Sequence, residues 1–180
     1  KPTVAIQGIK GAFHEIAALQ YFGNSIQSIH CNSFKEVFEA VQQARAEYGI
    51  VAIENTIAGS LLANYNLLKE SKTKIIGELS LHISQNLMAL PGTKIQDIVE
   101  VYSHPIAIAQ SQEFFTDKEH IKLIEWSDTA SSAEKIAKEN IIHAAAIASE
   151  YAAKLYGLEI IAPKIETHKK NYTRFLVISR

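Results

Sequence analysis

The apolar and polar positions of the chain alternate between short extended runs and stretches with helical spacing. Residues 3–7 have the pattern of a buried strand, and Gly8 and Gly11 follow it. Between residues 13 and 22, apolar side chains recur on roughly one helical face. The first part of the chain is therefore predicted to form a strand, a glycine-containing loop and a helix.

The same order recurs along the chain. A helix capped by Ser33, with Glu36 completing a capping box, is predicted to run to Ala46. Residues 74–90 are predicted to form one or two extended segments that end at Pro91-Gly92. We expect further strands at 49–54, 99–102, 121–126, 144–148 and 174–178, and further helices at 57–68, 105–115, 130–139 and 150–156. Such alternation is typical of βαβ units and a parallel sheet.

This order of elements predicts an α/β fold with two lobes and a central cleft. No Ser- or Pro-rich linker separates independent domains. We expect residues 1–76 with about 160–180 in the first lobe and 77–159 in the second. Ligands of such sheets collect near the carboxyl ends of strands, so the active site is predicted in the cleft.

The amino-acid composition limits the kinds of molecule that the protein could bind. Of the 180 residues, 47% are hydrophobic and 21% charged, and the net charge is −1. An ordinary globular core can form, and no broad basic field is available for nucleic acid or an anionic membrane. Cys31 is the only cysteine, which excludes an internal disulfide and suits a reducing compartment. The absence of a long apolar run or a signal-like start leads us to expect a cytoplasmic protein.

In the first lobe, two segments with polar side chains lie at the ends of predicted strands. The loop from Gly8 to Phe13 opens a helix, so its amides could receive a carboxylate or phosphate, although a plain turn has equal weight. Asn55 offers both a donor and an acceptor, whereas Glu54 could be a base but has more weight as a structural group.

Other polar groups lie at the junctions of later strands. Ser103 is a natural cap for the helix that begins near Pro105, and Gln110 lies about two helical turns further along. Ser103 and Gln110 could bind opposite ends of one substrate. For His104, a structural role has more weight than a role as catalytic base. Asp128 is predicted to cap a helix. The seven histidines show no metal-binding spacing, and the serines lack a nucleophile elbow.

The last polar segment is Asn171-Tyr172-Thr173-Arg174-Phe175, immediately before a terminal strand. Arg174 could hold a carboxylate through two parallel hydrogen bonds, and Thr173 could donate to a substrate oxygen. By itself, the segment could also be an ordinary strand start.

Taken in order, these segments resemble the prephenate dehydratase family, whose members convert prephenate into phenylpyruvate, water and carbon dioxide in phenylalanine biosynthesis. The likeness covers nearly the whole chain. It rests on the loop from Gly8 to Phe13, Ala52-Ile53-Glu54-Asn55-Thr56, Val101-Tyr102-Ser103-His104-Pro105 through Gln110, Asp128-Thr129-Ala130, residues 145–157 and Asn171-Tyr172-Thr173-Arg174-Phe175.

The resemblance implies roles for individual residues in a carbon–oxygen lyase that needs no metal or cofactor. It assigns the essential hydroxyl to Thr173 and carboxylate binding to Arg174. It implies that the substrate-binding groups are Asn55, Ser103, Gln110, Gly11 and Ala12, and that the acidic residues Glu54 and Asp128 are mainly structural. We expect the side chains of Thr173 and Arg174 to line the same crevice as the substrate-binding groups that come earlier in the chain.

The sequence departs from the family pattern at several positions. Thr56 replaces a serine, Ala12 and His14 stand where hydroxyl residues are common, and Ser131-Ser132 replaces a smaller pair. The resemblance also implies a homodimer or higher homo-oligomer. Family members usually continue into a regulatory ACT domain that binds phenylalanine, and this chain is expected to be the catalytic domain without it.

Two alternatives to prephenate turnover remain at this stage. The first is arogenate dehydratase, whose substrate carries an amino group in place of the keto oxygen. The second is a non-catalytic module that binds small anions, since the two-lobed plan resembles the type II periplasmic-binding-protein architecture.

Overall fold

A computed structural model describes all 180 residues, which form two compact units. The first unit comprises Lys1–Ile83 and Lys170–Arg180, and the second comprises Ser84–Lys169. The boundary predicted at residue 76 would cut a continuous strand, Lys74–His82, which hydrogen-bonds to the C-terminal strand along its length. The unit therefore ends only after that strand.

The first unit contains a six-stranded mixed sheet with helices on both faces. The strand order is β2-β1-β3-β11-β5, with the short β4 paired to β3. Its elements are β1 (Thr3–Gln7), α1 (Phe13–Phe22), β2 (Gln27–Cys31), α2 (Phe34–Gln42), β3 (Tyr48–Asn55), β4 (Gly59–Ser60), α3 (Leu62–Glu70), β5 (Lys74–His82) and, from the C-terminus, β11 (Tyr172–Ser179). Strands β1, β2 and β3 are parallel, whereas β11 runs antiparallel to both β3 and β5. The prediction of βαβ units and parallel sheet is therefore correct for β1, β2 and β3 but not for β11.

Each face of this sheet buries a separate apolar cluster. Helix α1 packs Ala17 and Ala18 against a cluster that includes Phe175 of β11. Helices α2 and α3 cover the other face, where Val37 and Phe38 pack against β1, β3 and β11. The two faces of β11 are therefore distinct environments, which decides where its polar residues point.

The second unit contains a five-stranded mixed sheet in the order β10-β6-β9-β7-β8. Its elements are β6 (Asn86–Ala89), β7 (Glu100–Ser103), α4 (Pro105–Gln110), β8 (Lys122–Glu125), α5 (Thr129–Lys138), β9 (Ala144–Ala148), α6 (Glu150–Tyr156) and β10 (Glu159–Ala162), with 3₁₀ turns at Ile95–Asp97 and Gln112–Phe115. Every residue of β9 is buried, as expected of a central strand covered on both faces. Strand β10 was not predicted.

Local signals account for several helix ends. Ser33, Asp128 and Ser149 each accept a hydrogen bond from a backbone amide in the first turn of the helix that they precede. Gly157 ends α6 in the left-handed conformation, with φ of 68°. The caps at Ser33 and Asp128 agree with the prediction, whereas the cap at Ser149 was not predicted.

Three predicted helices differ from the structure. Helix α2 ends at Gln42 rather than Ala46, and the helix predicted at 105–115 is α4 followed by a 3₁₀ turn. The helix predicted from residue 57 begins only at Leu62. The preceding residues form a turn, in which the side chain of Asn55 accepts from the amides of Ile57 and Ala58, and then β4, which pairs with the end of β3.

Candidate active site

Three segments of the first unit meet at one edge of its sheet. Because β1 and β3 are parallel, the loop after β1 and the end of β3 lie at the same edge. Strand β11 is antiparallel to β3 and begins at that edge, where Thr173 is directly opposite Asn55. The glycine loop, the Asn55 segment and the Thr173 segment are thereby brought together from opposite ends of the chain.

At the centre of this edge, the side chains of Asn55 and Thr173 form a hydrogen bond. The amide nitrogen Nδ2 of Asn55 is 3.0 Å from the hydroxyl oxygen of Thr173, 2.8 Å from Oδ1 of Asn171 and 3.2 Å from the carbonyl oxygen of Tyr172. Because the amide nitrogen can only donate, the Thr173 oxygen is the acceptor. The hydroxyl hydrogen of Thr173 thus remains available for another acceptor.

The orientation of Asn55 is determined from both ends of its amide. Its oxygen accepts hydrogen bonds from the backbone amides of Ile57 and Ala58, at 3.0 and 2.9 Å. This assigns the nitrogen, rather than the oxygen, to the Thr173 side. Thr56 adds a second tie to β11, since its hydroxyl donates to the carbonyl of Lys170 and accepts from the amide of Tyr172.

Arg174 lies on the opposite face of β11 from Thr173. Neighbouring residues of a strand point to opposite faces, and β11 pairs without interruption with β5 from Tyr172 to Val177. The Arg174 guanidinium contacts Oε2 of Glu78 through Nε at 3.0 Å and Nη2 at 2.6 Å, and Nη1 lies 3.7 Å from Glu54. The expectation that Thr173 and Arg174 line one crevice is therefore wrong. Carboxylate binding by Arg174 stays a prediction that this geometry does not favour.

The network around Arg174 continues into α3. The hydroxyl of Tyr65 donates to Oε1 of Glu54 at 2.5 Å, and this hydrogen bond raises the pKa of Tyr65. The hydrogen bond from Arg174 to Glu78 similarly raises the pKa of Arg174. Glu54 thus connects β3, β11 and α3, which is a structural arrangement for this acidic residue.

The glycine loop presents the amino end of α1 to the same edge. Gly8 and Gly11 have φ values of 103° and 99°, a conformation that glycine adopts without strain. Helix α1 begins after Ala12, which supplies no side-chain cap. The amide of Gly11 donates to Oε1 of Glu15, so the acidic residue of the first turn is already engaged.

His14 is the second residue of α1 and was not among the predicted site residues. Its ring packs 5.2 Å from the rings of both Phe34 and Phe175, measured between centroids. Burial lowers the pKa of His14 to about 4, so the imidazole is neutral at physiological pH. The sequence signal was its place in the loop-to-helix junction beside Ala12.

Asn171 was also missed as a site residue. It is fully buried, and its side-chain oxygen lies 2.8 Å from Nδ2 of Asn55. Its position within the predicted terminal segment was a signal, but only the pairing of β3 with β11 shows that it contacts Asn55.

The second unit holds the other predicted binding residues, and they are buried in it. The Ser103 hydroxyl donates to the carbonyl of Ile147 at 2.7 Å and is inaccessible to solvent. His104, not Ser103, caps α4, since its Nδ1 accepts from the amide of Ile106. Gln110 ends α4, is buried and has hydrogen-bonding partners. Substrate binding by Ser103 and Gln110 stays a prediction.

Asp128 caps α5, as its Oδ1 accepts from the amide of Ser131 at 2.5 Å. Desolvation lowers the pKa of His104, and the charges of Asp128 and Glu125 act in the opposite direction. No group of three or more His, Cys, Asp or Glu side chains that could hold a metal ion is present among the 180 residues. No helix has the length and apolar character needed to cross a membrane.

Comparison with known proteins decides the family. The family model for prephenate dehydratase matches residues 4–180. The chain belongs to the prephenate dehydratase family. Its relatives include "Arogenate dehydratase/prephenate dehydratase 2, chloroplastic" of Arabidopsis thaliana, which is 40% identical over 177 residues, or 98% of this chain and 46% of that protein. The chain spans about half the length of the curated relatives that it matches.

Solved structures agree with this assignment. The prephenate dehydratase of Arthrobacter aurescens in complex with L-Phe has a TM-score of 0.90 and 28% identity, over 99% of this chain and 60% of that one. A periplasmic substrate-binding protein of an ABC transporter from Coxiella burnetii has a TM-score of 0.52 at 14% identity, over 100% of this chain and 84% of that one. The second likeness shows the fold alone. Both predictions, the family and a mixed α/β fold of the periplasmic-binding-protein type, are confirmed.

Within this prephenate dehydratase domain, the Thr-Arg-Phe signature divides its three side chains between two environments. Thr173 and Phe175 lie on the face that α1 covers, and Arg174 lies on the face that carries Glu54 and Glu78. The hydroxyl that the family motif assigns to chemistry therefore accepts from Asn55 on the face of β11 that carries Phe175, and it is separate from the arginine.

Proposed function

We propose that this domain catalyses the decarboxylating dehydration of prephenate to phenylpyruvate, with the Thr173 hydroxyl as the group that acts on the leaving oxygen. Family membership supports the reaction, and the hydrogen bond from Asn55 to Thr173 is the observation that supports the residue. An arrangement that leaves one hydroxyl hydrogen free, at the edge where three segments meet, suits donation to a substrate oxygen.

The step that mainly requires catalysis is cleavage of the C–O bond of the leaving hydroxyl group. The bond between the ring and its carboxylate breaks, carbon dioxide leaves, and the electron pair of that bond enters the ring, which becomes aromatic. The C–O bond at the opposite ring carbon also breaks, and hydroxide leaves with the electron pair of the C–O bond and takes a proton to become water. Hydroxide is a poor leaving group, so a hydrogen bond to the departing oxygen lowers the barrier.

Asn55 prepares Thr173 for this role in two ways. By donating to the Thr173 oxygen it restrains the rotation of the hydroxyl, which directs the remaining hydrogen away from the amide. It also withdraws electron density from the oxygen, because hydrogen bonds in a chain polarise one another. An unperturbed threonine is a poor general acid, so Thr173 donates a hydrogen bond while the proton of the product water comes from solvent.

The amino end of α1 is proposed to hold a substrate carboxylate. The positive end of the helix dipole and the absence of a side-chain cap at Ala12 support this role. The amides of Gly11 and Ala12 already donate to Glu15 and to the carbonyl of Ile9, so substrate binding by these two residues themselves stays a prediction.

Substrate contacts of Arg174, Ser103 and Gln110 stay predictions. Arg174 and Ser103 already hydrogen-bond to groups of their own unit, and a substrate would have to compete with those groups.

The decisive experiment offers the purified protein both candidate substrates. Prephenate turnover is followed by the absorbance of phenylpyruvate in alkali, and arogenate turnover by the phenylalanine formed. We expect phenylpyruvate at a rate that exceeds the uncatalysed reaction by several orders of magnitude. A faster turnover of arogenate would make the domain an arogenate dehydratase, an activity named for the Arabidopsis relative. Calorimetric binding without any product would indicate the anion-binding module.

A homodimer or higher homo-oligomer and a cytoplasmic location also stay predictions. Sedimentation velocity over a range of concentrations tests the first. Fractionation of the source cells, followed by immunodetection, tests the second.

A further inference from the structure

His14 contains a polar atom with no partner. Its Nε2 is inaccessible to solvent and makes no hydrogen bond. A buried nitrogen left without a partner costs about 1–3 kcal/mol, and such atoms are rare in folded proteins. The packing of the ring against Phe34 and Phe175 explains why an aromatic ring is present, but not why this ring carries a nitrogen.

The location of the ring connects it to Thr173. Phe175 lies two residues after Thr173 in β11, so the two side chains are on the same face, about 7 Å apart along the strand. The His14 imidazole stands edge-on to the Phe175 ring, at an interplanar angle of 87°. A small substrate whose leaving oxygen meets Thr173 would therefore extend towards His14.

The surroundings of His14 favour an anionic partner. The residue is in the first turn of α1, where the helix dipole is positive, and Ala12 leaves that turn without a side-chain cap. Glu15, the acidic residue of the same turn, is held by the amide of Gly11 and lies 3.7 Å from Nε2 of His30. A neutral imidazole can donate from Nε2 to a carboxylate without carrying a charge into this apolar setting.

We propose that His14 is a substrate-binding residue whose Nε2–H donates to the side-chain carboxylate of the substrate, the one that the product retains. This inference rests on the proposed function. It explains the unpartnered nitrogen, since the hydrogen bond forms only when the ligand is bound. In prephenate that carboxylate and the leaving hydroxyl are at opposite ends of the molecule.

His14→Phe tests the proposal, because it keeps an aromatic ring between Phe34 and Phe175 and removes both nitrogens. A hydrogen bond to a charged group contributes about 1.5–3 kcal/mol, so KM for prephenate should rise roughly 10- to 100-fold with kcat close to wild type. The Ki of phenylpyruvate as a competitive inhibitor should rise by the same factor. The melting temperature should stay equal or increase, because an unsatisfied buried nitrogen is removed.

Two further variants complete the test. Phe34→Leu loosens the packing of the ring but leaves the nitrogens, so its melting temperature should fall while KM stays near wild type. His14→Leu removes the nitrogens without an aromatic ring, and it supplies the same KM and Ki measurements if His14→Phe fails to fold.

Three results would overturn the proposal: wild-type KM and Ki in the folded His14 variants, a raised KM with an unchanged Ki, or a KM increase of equal size in Phe34→Leu. Each is distinct from failure of the proposed function, in which the wild-type protein itself would form neither phenylpyruvate nor phenylalanine.

Discussion

Replacement of Thr173 by valine isolates the contribution of a single hydroxyl. Valine has nearly the same shape and suits a strand, so the change removes the oxygen with little effect on packing. Loss of one donor to a developing oxyanion typically lowers kcat by about 10² to 10³, or about 2.7–4 kcal/mol. We expect kcat with prephenate to fall by at least that factor.

The structure indicates that the fold tolerates this change. Without the Thr173 oxygen, Nδ2 of Asn55 retains two acceptors, Oδ1 of Asn171 and the carbonyl of Tyr172. Its oxygen still accepts from the amides of Ile57 and Ala58. No buried polar atom is orphaned, so the free energy of unfolding should change by less than about 1 kcal/mol.

Steady-state turnover of prephenate, measured together with thermal unfolding, separates the two effects. Thr173→Ser is the matched control, since it keeps the hydroxyl and loses only a methyl group, and it should retain most of the wild-type kcat. Near-normal kcat in Thr173→Val would remove the hydroxyl from the mechanism. Equal losses in the serine and valine variants would show that shape, rather than the hydroxyl, matters.

Three other substitutions test the surrounding assignments. Asn55→Asp removes the donor to Thr173 but keeps the acceptor, so we expect kcat to fall about tenfold or more; the melting temperature should also fall, because a carboxylate oxygen then faces Oδ1 of Asn171 and the carbonyl of Tyr172, and unchanged kcat would contradict the proposed polarisation. Arg174→Lys keeps the positive charge but loses the two-nitrogen contact with Glu78, in an exposed ion pair worth about 0–1 kcal/mol, and should leave KM for prephenate unchanged; a tenfold rise in KM would restore its predicted carboxylate-binding role. Ser103→Ala leaves the carbonyl of Ile147 without its partner, so denaturant unfolding should show a loss of about 1–3 kcal/mol, whereas a rise in KM at full stability would indicate substrate contact.

Much of the fold was predictable because its signals are local. The cap at Asp128 depends on a side chain and an amide three residues apart, and the end of α6 depends on one left-handed glycine. The error at residues 57–61 has a specific cause. An apolar stretch predicted a helix, but Gly59 and Ser60 pair with the end of β3 as strand β4, and residues in a strand cannot be part of a helix.

The site was predictable in part. The motif order identified Thr173 and Asn55, while His14 and Asn171 were missed: both lie in segments that the sequence had singled out, but their contacts with Phe175 and Asn55 depend on the tertiary structure. The predicted pairing of Thr173 with Arg174 overlooked the period-two alternation of a strand, which was available from the sequence once residues 172–179 are assigned to one.

By itself, the sequence determined the family, most of the strands and helices, the helix caps at Ser33 and Asp128, and the opposite orientation of Thr173 and Arg174 on their strand. Only the tertiary structure decided which groups those two residues meet. Asn55 is 118 residues from Thr173, and Glu78 is 96 residues from Arg174. The physical reason is that side-chain direction follows from local backbone geometry, whereas the register between strands far apart in the chain follows from the packing of the whole unit.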